Sequence, residues 1–246
     1  MSAHAPAPVD LEPGAGSAPR LFALVPCAGL GARSGAGLPK QYVRLAGLPL
    51  VAHTLRALAQ VRRLSATTVV LSPEDTLFRD LLPDFEGPAA WLAACGGATR
   101  AASVAAGLGW LVEHGASDDD WVLVHDAARC LVQPAWVERL IDACLGDAVG
   151  GLLALPLADT LKSEHEGRVS ATVPRSGKWA AQTPQMFRMG VLRQALAACT
   201  DAVTDESGAV EALGLKPLLV VGSVENFKVT YPDDFVLAAR LLSTRL

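Results

Sequence analysis

The sequence predicts an α/β fold, a Rossmann-like arrangement of three layers around a mainly parallel β-sheet. Two observations carry this prediction. Short apolar runs alternate with segments of helical apolar spacing along most of the chain, which is typical of parallel β-α-β units with helices on both faces of a sheet. The chain has 246 residues, of which 51% are hydrophobic and 19% charged, and this suits a single domain with a large core.

The first half of the chain alternates predicted strands with predicted helices. Each strand is a short apolar run: 21–28, 66–71, 91–95 and 121–124. The run at 66–71 (ATTVVL) is also rich in β-branched residues, which favour strands. Helical apolar spacing predicts the intervening helices: 50–60, 99–114 and 134–144. The last of these begins with Pro134, a residue type favoured at the first helical position.

The second half of the chain continues the pattern after one interruption. Three further strands are predicted: 150–156, 218–221 and 227–230. Helices are predicted at 190–198, at a short segment beginning near 204–206, and at 233–242. Thr183, Pro184 and Gln185 are expected to form a turn at the edge of the sheet.

The interruption lies at residues 158–178. This segment is polar, lacks apolar periodicity and carries two charged clusters, SEHEGR and PRSGK. An excursion of about twenty residues without a helix is uncommon in a compact domain and usually has a functional role. It therefore predicts a projecting arm, used either in the active site or in contact with a partner.

Composition excludes several classes of protein. The net charge of −4 argues against a protein that coats nucleic acid, because such proteins need basic surfaces. No apolar run approaches the ~20 residues that cross a bilayer, and residues 1–20 lack the features of a signal peptide and predict a disordered tail. Five scattered cysteines form no C-x-x-C pair, which is typical of free thiols in a reducing compartment. We expect a soluble, cytoplasmic protein with one domain at 21–246.

The loop that follows the first strand is the most informative segment. Residues 26–40 (PCAGLGARSGAGLPK) leave a strand, so their amides should lie at the carboxyl edge of the sheet, where α/β proteins bind ligands. Four glycines allow the backbone to approach a phosphate closely: Gly29, Gly31, Gly35 and Gly37. Arg33 and Lys40 add two cations. The loop therefore predicts a grip for a nucleoside triphosphate.

Two common phosphate-binding motifs fit this loop poorly. The dinucleotide pattern G-x-G-x-x-G fails because Ser34 stands at the third glycine position, and no acidic residue follows at the required offset of ~20 residues. The Walker A pattern fails because Gln41, and not Ser or Thr, follows Lys40. A loop of the pyrophosphorylase type is favoured, with an NAD(P)-dependent oxidoreductase loop and a purely structural turn as the alternatives.

Six later segments accompany the loop in a fixed order: GGATRAASV at 96–104, VHDAAR at 124–129, PLADTLK at 156–162, TPQMF at 183–187, TDESGAVE at 204–211 and NFKVTYPDD at 226–234. Together with the loop, these segments resemble the 2-C-methyl-D-erythritol 4-phosphate cytidylyltransferases, a family of nucleotidyltransferases with a GT-A-like fold. The resemblance covers residues 21–242.

The resemblance implies an activity and an assembly. It implies transfer of CMP from CTP to 2-C-methyl-D-erythritol 4-phosphate, with release of pyrophosphate, in the non-mevalonate route to isoprenoid precursors. It also implies dependence on Mg²⁺ or another divalent cation. The expected assembly is a homodimer whose arms exchange across the interface. A cytidylyltransferase for another acceptor, such as ribitol 5-phosphate, remains the alternative.

The resemblance also assigns residues to roles. Contacts to CTP are expected from Pro26, Cys27, Ala28, Gly29, Gly31, Gly97 and Ser103. The catalytic cations are expected to be Arg33, Lys40, Arg175 and Lys228. The acceptor is expected to contact Asp126, Thr160, Arg175 and Lys228, with Thr160 and Arg175 reaching into the neighbouring subunit. Ala98 stands where the family often has Asp.

Asp126 follows a predicted strand, and a carboxylate at that position suits Mg²⁺, which favours oxygen ligands shared between protein and phosphate. We expect His125 to be structural, because Mg²⁺ chemistry does not need an imidazole. Thr204, Asp205 and Glu206 are typical of a helix N-terminus with acidic residues in its first turn, and they also lie in one of the family segments. Both interpretations of these three residues stay open.

Overall fold

A computed structural model describes residues 18–29, 38–199 and 204–245. Its strands are β1 (Leu21–Pro26), β2 (Arg44–Leu45), β3 (Leu48–Pro49), β4 (Ala66–Val70), β5 (Ala90–Ala93), β6 (Trp121–Val124), β7 (Gly150–Pro156), β8 (Leu161–His165), β9 (Arg168–Val173), β10 (Trp179–Arg188) and β11 (Leu218–Val221). Its α-helices are α1 (Leu50–Ala59), α2 (Leu77–Leu81), α3 (Arg100–Glu113), α4 (Pro134–Cys144), α5 (Met189–Ala198), α6 (Glu206–Ala212) and α7 (Pro232–Ser243). A single 3-10 turn spans Lys40–Tyr42.

The central sheet has seven strands in the order β11-β7-β10-β6-β1-β4-β5. All neighbouring pairs are parallel except those of β10, which is antiparallel to both β6 and β7. Helices cover both faces of this sheet. The predicted α/β fold with a mainly parallel sheet is therefore confirmed.

The alternation of side chains along β1 shows why these residues form a buried central strand. Phe22 and Leu24 face one apolar cluster, which includes Leu108 of α3. Val25 faces the other cluster, which includes Leu140 of α4. Because successive side chains point to opposite faces of a sheet, a strand between two helical layers must be apolar throughout. The sequence LFALVP meets that requirement.

Backbone hydrogen bonds continue past the carboxyl ends of the central strands and bring the segments after them together. Cys27 N donates to Val70 O at 2.8 Å, and Gly96 N donates to Leu71 O at 2.7 Å. A Cβ atom at Gly96 would collide with the side chain of Ala28 and stand 2.7 Å from Leu71 O. Only glycine permits this approach, so Gly96 allows the segments after β1, β4 and β5 to meet at one edge of the sheet.

Two predictions about secondary structure are wrong. Residues 183–185 do not form a turn at the sheet edge, since they lie inside β10, which runs between β7 and β6. Pro184 is tolerated there because pairing with β7 shifts register between Ala181 and Gln185, which leaves the proline outside the regular ladder. The segment 227–230 is not a strand. Its backbone bonds to Ala128 through Val229 N at 2.9 Å, and among the described residues no strand pairs with it.

The arm at 158–178 contains no helix, as expected, and consists mainly of the antiparallel hairpin β8–β9. Its turn residues Glu166 (φ 50°) and Gly167 (φ 75°) both adopt left-handed backbone conformations, which a tight two-residue hairpin turn requires. Most of the hairpin is exposed, including Val169 at 64%. A role for this arm in dimerisation stays a prediction. The disorder expected of residues 1–20 also stays a prediction, since residues 1–17 lie outside the described part of the chain.

In the described residues no helix is long and apolar enough to cross a membrane.

Candidate active site

An open cleft of about 920 Å³ lies at the carboxyl edge of the parallel strands. This volume is within the range of small-molecule sites. Four segments line it: the start of the glycine-rich loop, the turn after β4, the residues from the end of β5 to the first turn of α3, and the segment that follows β6. Lys40, Gln41, Lys228 and Thr230 complete the lining. The cleft therefore lies where the sequence predicted it.

The described beginning of the loop is fixed by Gln41. The side-chain amide of Gln41 donates to Cys27 O at 3.0 Å and to Gly29 O at 2.9 Å. These bonds hold the backbone where the chain leaves β1, and Gln41 is buried. Burial raises the pKa of the Cys27 thiol, which therefore stays protonated and suits a packing role. Sequence reasoning used Gln41 only to exclude a Walker A motif and missed this contact.

The predicted contacts at Gly31 and Arg33 lie outside the described residues. Lys40, at the other end of the loop, lines the cleft. Its Nζ atom donates to Val229 O at 2.8 Å. Lys40 and the segment that carries Lys228 are thus brought together, although 188 residues separate the two lysines in the sequence (228 − 40).

Asp126 is the centre of a charged network on the floor of the cleft. Its Oδ1 atom is 2.7 Å from Arg100 Nε, and its Oδ2 atom is 2.7 Å from Lys228 Nζ. Arg100 also forms two hydrogen bonds with Glu206, at 2.6 Å and 3.0 Å. The network contains two carboxylates and two cations, so its formal charges balance.

The pKa shifts in this network follow from burial and from the paired charges. Burial by itself raises the pKa of Asp126, but Arg100 and Lys228 outweigh that effect and leave the pKa well below its usual range. For Glu206 burial prevails, and its pKa is raised in spite of Arg100. Burial lowers the pKa of Arg100, but Asp126 and Glu206 raise it further, so the net shift is upward and the guanidinium remains charged. Asp126 is therefore an ionised carboxylate across the neutral range.

His125 and Asp126 both contact the hydroxyl group of Thr183. Thr183 Oγ1 accepts a hydrogen bond from Asp126 N at 3.0 Å and lies 3.1 Å from His125 Nδ1. His125 Nε2 lies 3.2 Å from Arg129 O. Burial lowers the pKa of His125 to about 4, which makes it a neutral imidazole near pH 7. These contacts agree with the structural interpretation of His125.

The expected base-binding residues Gly97 and Ser103 lie together at the other end of the cleft. Gly97 N donates to Ser103 Oγ at 3.1 Å, and Ser103 Oγ lies 2.9 Å from Thr99 O. Thr99 caps α3 by accepting from Ala102 N at 3.0 Å. The helix cap thus sets the position of the serine, while Ala98 contributes no charged group at its own position in the lining.

Thr160 and Arg175 do not join the residues that line the cleft. Both lie on the arm and are exposed. Their predicted roles involve the neighbouring subunit and stay predictions.

A metal site made of protein groups alone is not present in the described residues, which contain no group of three or more His, Cys, Asp or Glu side chains suited to a metal ion. Asp126 offers a single carboxylate at the cleft.

Comparison with known proteins shows the family of this chain. The family model described as "IspD: 2-C-methyl-D-erythritol 4-phosphate cytidylyltransferase" matches residues 21–244. The cytidylyltransferase of that name from Chromobacterium violaceum is 54% identical, over 92% of this chain and 99% of that protein. The bifunctional enzyme IspD/IspF from Albidiferax ferrireducens is 58% identical over 96% of this chain, but the match spans only 56% of that longer protein.

A solved structure gives the same answer at the level of the fold. The crystal structure of a 4-diphosphocytidyl-2C-methyl-D-erythritol synthase superposes with a TM-score of 0.83 at 41% identity, covering 92% of this chain and all of that one. These matches decide the class of activity in favour of nucleotidyl transfer, while the contacts expected of the glycine-rich loop stay predictions. The chain belongs to the 2-C-methyl-D-erythritol 4-phosphate cytidylyltransferase (IspD) family, whose activity is CTP-dependent cytidylyl transfer in isoprenoid biosynthesis.

Proposed function

We propose that this chain transfers CMP from CTP to the phosphate of 2-C-methyl-D-erythritol 4-phosphate in the cleft at the carboxyl edge of the sheet. The observation that supports this most is the convergence of three charged residues from distant parts of the sequence. Lys40, Asp126 and Lys228 all line one cleft. A reaction between two anions needs such a group of placed charges.

In the proposed reaction an oxygen of the acceptor phosphate attacks the α-phosphorus of CTP in line. One P–O bond forms, the bond between the α-phosphorus and its bridging oxygen breaks, and pyrophosphate leaves with the electron pair. A phosphate monoester carries a charge of about −1.5 to −2 near neutral pH, so it is already a nucleophile. No general base is required, and the protein contributes positioning and charge stabilisation.

The two lysines have different roles in this proposal. Lys40, with Arg33 from the same loop, stabilises the negative charge on the triphosphate as pyrophosphate leaves. Lys228 aims the acceptor phosphate, and its side chain is 43% exposed, so it has room to turn from Asp126 towards a phosphate. The hydrogen bond from the Lys40 side chain to the backbone carbonyl of Val229 keeps the two cations at neighbouring positions.

Asp126 is the residue that would hold Mg²⁺. One carboxylate beside substrate phosphates fits this ion, which usually binds one or two carboxylates together with phosphate oxygens and water. Each Asp126 oxygen contacts one cation, at 2.7 Å, and a carboxylate oxygen can accept more than one contact. When bound, Mg²⁺ would neutralise charge on the phosphates.

The proposed assembly is a cytoplasmic homodimer in which each arm completes the neighbour's site. The exposed hairpin β8–β9 supports this, because a two-stranded hairpin alone is only marginally stable in water. Thr160 and Arg175 lie at the two ends of the arm. In the dimer they would contact the hydroxyls and the phosphate of the acceptor. These residues would distinguish 2-C-methyl-D-erythritol 4-phosphate from another acceptor such as ribitol 5-phosphate.

The activity is tested by measuring pyrophosphate release from CTP with Mg²⁺ and one acceptor at a time. We expect turnover with 2-C-methyl-D-erythritol 4-phosphate, little with ribitol 5-phosphate, and loss of turnover when EDTA is added. Faster turnover with ribitol 5-phosphate would replace the proposed acceptor. Full turnover in the presence of EDTA would show that the reaction does not depend on a divalent cation.

A further inference from the structure

Glu206 is a buried carboxylate that the reaction as proposed above does not use. Its side chain is only 1% exposed, and it is the first residue of α6. Helix capping does not account for it. The N-cap is Asp205, whose Oδ1 atom accepts from Gly208 N at 3.0 Å. Burying a carboxylate is costly unless it is paired, so the function of Glu206 has to be sought in its partner.

That partner is Arg100, and the contacts use the whole guanidinium group. Arg100 Nη1 and Nη2 donate to Glu206, while Nε donates to Asp126 Oδ1 at 2.7 Å. A planar group held at three nitrogen atoms has no freedom to rotate. Glu206 thus fixes Arg100, and Arg100 in turn holds one oxygen of Asp126.

The two ends of this chain of contacts, Lys228 and Glu206, differ most in the exposure of their side chains. Lys228 is 43% exposed and Arg100 26%, whereas Asp126 is 9% and Glu206 1% exposed. The lysine is therefore the member with freedom to move, and Glu206 is the fixed end. When Lys228 turns towards a phosphate, Asp126 loses one of its two cations. The Arg100 contact then has to keep its carboxylate in place.

We propose that Glu206 is a positioning residue for cytidylyl transfer, which locks Arg100 so that Asp126 stays oriented while Lys228 engages the acceptor phosphate. This inference rests on the roles proposed for Asp126 and Lys228. Without Glu206, the Arg100 guanidinium is free to turn towards the anionic triphosphate or to take both oxygens of Asp126. Either change would displace the groups that align the two substrates.

The attachment of α6 does not depend on Glu206. Gln185 of β10 donates to Asp205 Oδ2 at 2.9 Å and accepts from Ser207 N at 2.7 Å. The start of the helix is therefore tied to the sheet on both sides of Glu206. A neutral, isosteric replacement at this position should leave the helix docked.

The test compares Glu206→Gln with Glu211→Gln in the intact chain. Glu211 lies on the same helix and is exposed, so it serves as the matched control. We expect Glu206→Gln to lower kcat for pyrophosphate release roughly 10- to 100-fold, the scale seen when a residue that orients a functional group is lost. The KM for CTP should change far less, the folded fraction by circular dichroism should stay the same, and Glu206→Asp should recover part of the loss.

A double-mutant cycle with Arg100→Gln distinguishes positioning from a structural role. Arg100→Gln leaves Glu206 buried without its partner and is the variant at risk of unfolding, whereas Arg100→Gln with Glu206→Gln replaces the pair by two neutral amides. If Glu206 acts through Arg100, adding Glu206→Gln to Arg100→Gln should lower kcat no further. A further loss equal to that of the single variant would overturn the proposal, as would near-normal kcat in folded Glu206→Gln. Inactivity of the unmodified protein with this acceptor would instead refute the proposed function.

Discussion

Lys40 Nζ donates a hydrogen bond of 2.8 Å to the backbone carbonyl of Val229, the residue that follows Lys228. This bond joins the end of the glycine-rich loop to the segment before α7. Val229 N in turn donates to Ala128 O at 2.9 Å, two residues beyond Asp126. The Lys40 side chain and the backbone of Val229 and Ala128 thus join three segments that carry charged residues, and Lys40, Asp126 and Lys228 all line one cleft.

The first prediction concerns Lys40. Lys40→Ala should lower kcat roughly a hundredfold or more, the scale observed when one electrostatic stabiliser of a transition state is removed. Its effect on the melting temperature should be small, because the lost side-chain bond is partly exposed. Steady-state pyrophosphate release and thermal unfolding measure the two quantities. Lys216→Ala, at an exposed position, is the control. Turnover near that of the control would contradict the assigned role.

The second prediction concerns Gln41. Gln41→Glu keeps the shape of the side chain but replaces the donating amide by a carboxylate, which faces the carbonyls of Cys27 and Gly29. Each buried acceptor left without its donor costs about 1–3 kcal/mol, so the loop should leave its present position. We expect the KM for CTP to rise at least about tenfold, since 1.4 kcal/mol corresponds to a factor of ten.

Gln60→Glu is the matched control for that experiment, because Gln60 is exposed and is not among the residues that line the cleft. Isothermal titration with CTP measures the affinity directly. An unchanged affinity for CTP in Gln41→Glu would show that the loop position does not depend on this amide.

The glycine-rich loop and the strand pattern are the parts that sequence reasoning could predict. Gly96 and the run LFALVP are local signals, because close backbone approach and burial on both faces restrict the residue type at each position. The strand β10 was not predicted, although its direction follows from the connection that precedes it. The chain between β7 and β10 contains only the hairpin arm, and strands joined without a helical crossover are antiparallel.

The charged network could not be predicted in the same way. Arg100 and Glu206 are 106 residues apart, and no periodicity relates them. From the sequence alone, Glu206 is equally suited to the first turn of a helix, where acidic residues are common. Only the fold shows that Asp205 provides the cap and leaves Glu206 to pair with Arg100. The strand predicted at 227–230 was wrong for a related reason. A short apolar run does not show whether another strand lies beside it to form hydrogen bonds.

The third prediction concerns pH and Asp120, which joins the beginning of β1 to the beginning of β6. Asp120 accepts from Arg20 N at 2.8 Å, from Arg20 Nη2 at 2.7 Å and from Ser117 N at 2.8 Å. Burial raises its pKa, but the hydrogen bonds from Arg20 and Ser117 prevail and the net shift is downward. A carboxyl group whose pKa is lower in the folded than in the unfolded protein stabilises the fold at pH values above its unfolded pKa. This contribution is lost as the pH falls through the pKa of the folded state.

Asp120→Asn should therefore lower the free energy of unfolding at pH 7 by about 1–3 kcal/mol, the range for a buried hydrogen-bonded charge. The difference from the unmodified protein should shrink as the pH falls below about 4, the ordinary pKa of Asp. Urea unfolding at several pH values measures it. Asp119→Asn, at the exposed neighbouring residue, should show no such difference. If the difference in free energy of unfolding persists at low pH, it does not arise from the charge of Asp120.

The last prediction tests whether the arm acts on the neighbouring subunit. Lys40→Ala inactivates the site on its own chain but leaves an intact arm, whereas Arg175→Ala leaves an intact cleft. If arms are exchanged, a mixed dimer contains one site with both residues and one site with neither. Random mixing makes half of the dimers mixed, so about a quarter of all sites should regain activity in a symmetric dimer. If each arm serves its own chain, neither site of the mixed dimer is complete. The absence of any recovery in mixed dimers, verified by differential tagging, would then place Arg175 outside the neighbour's site.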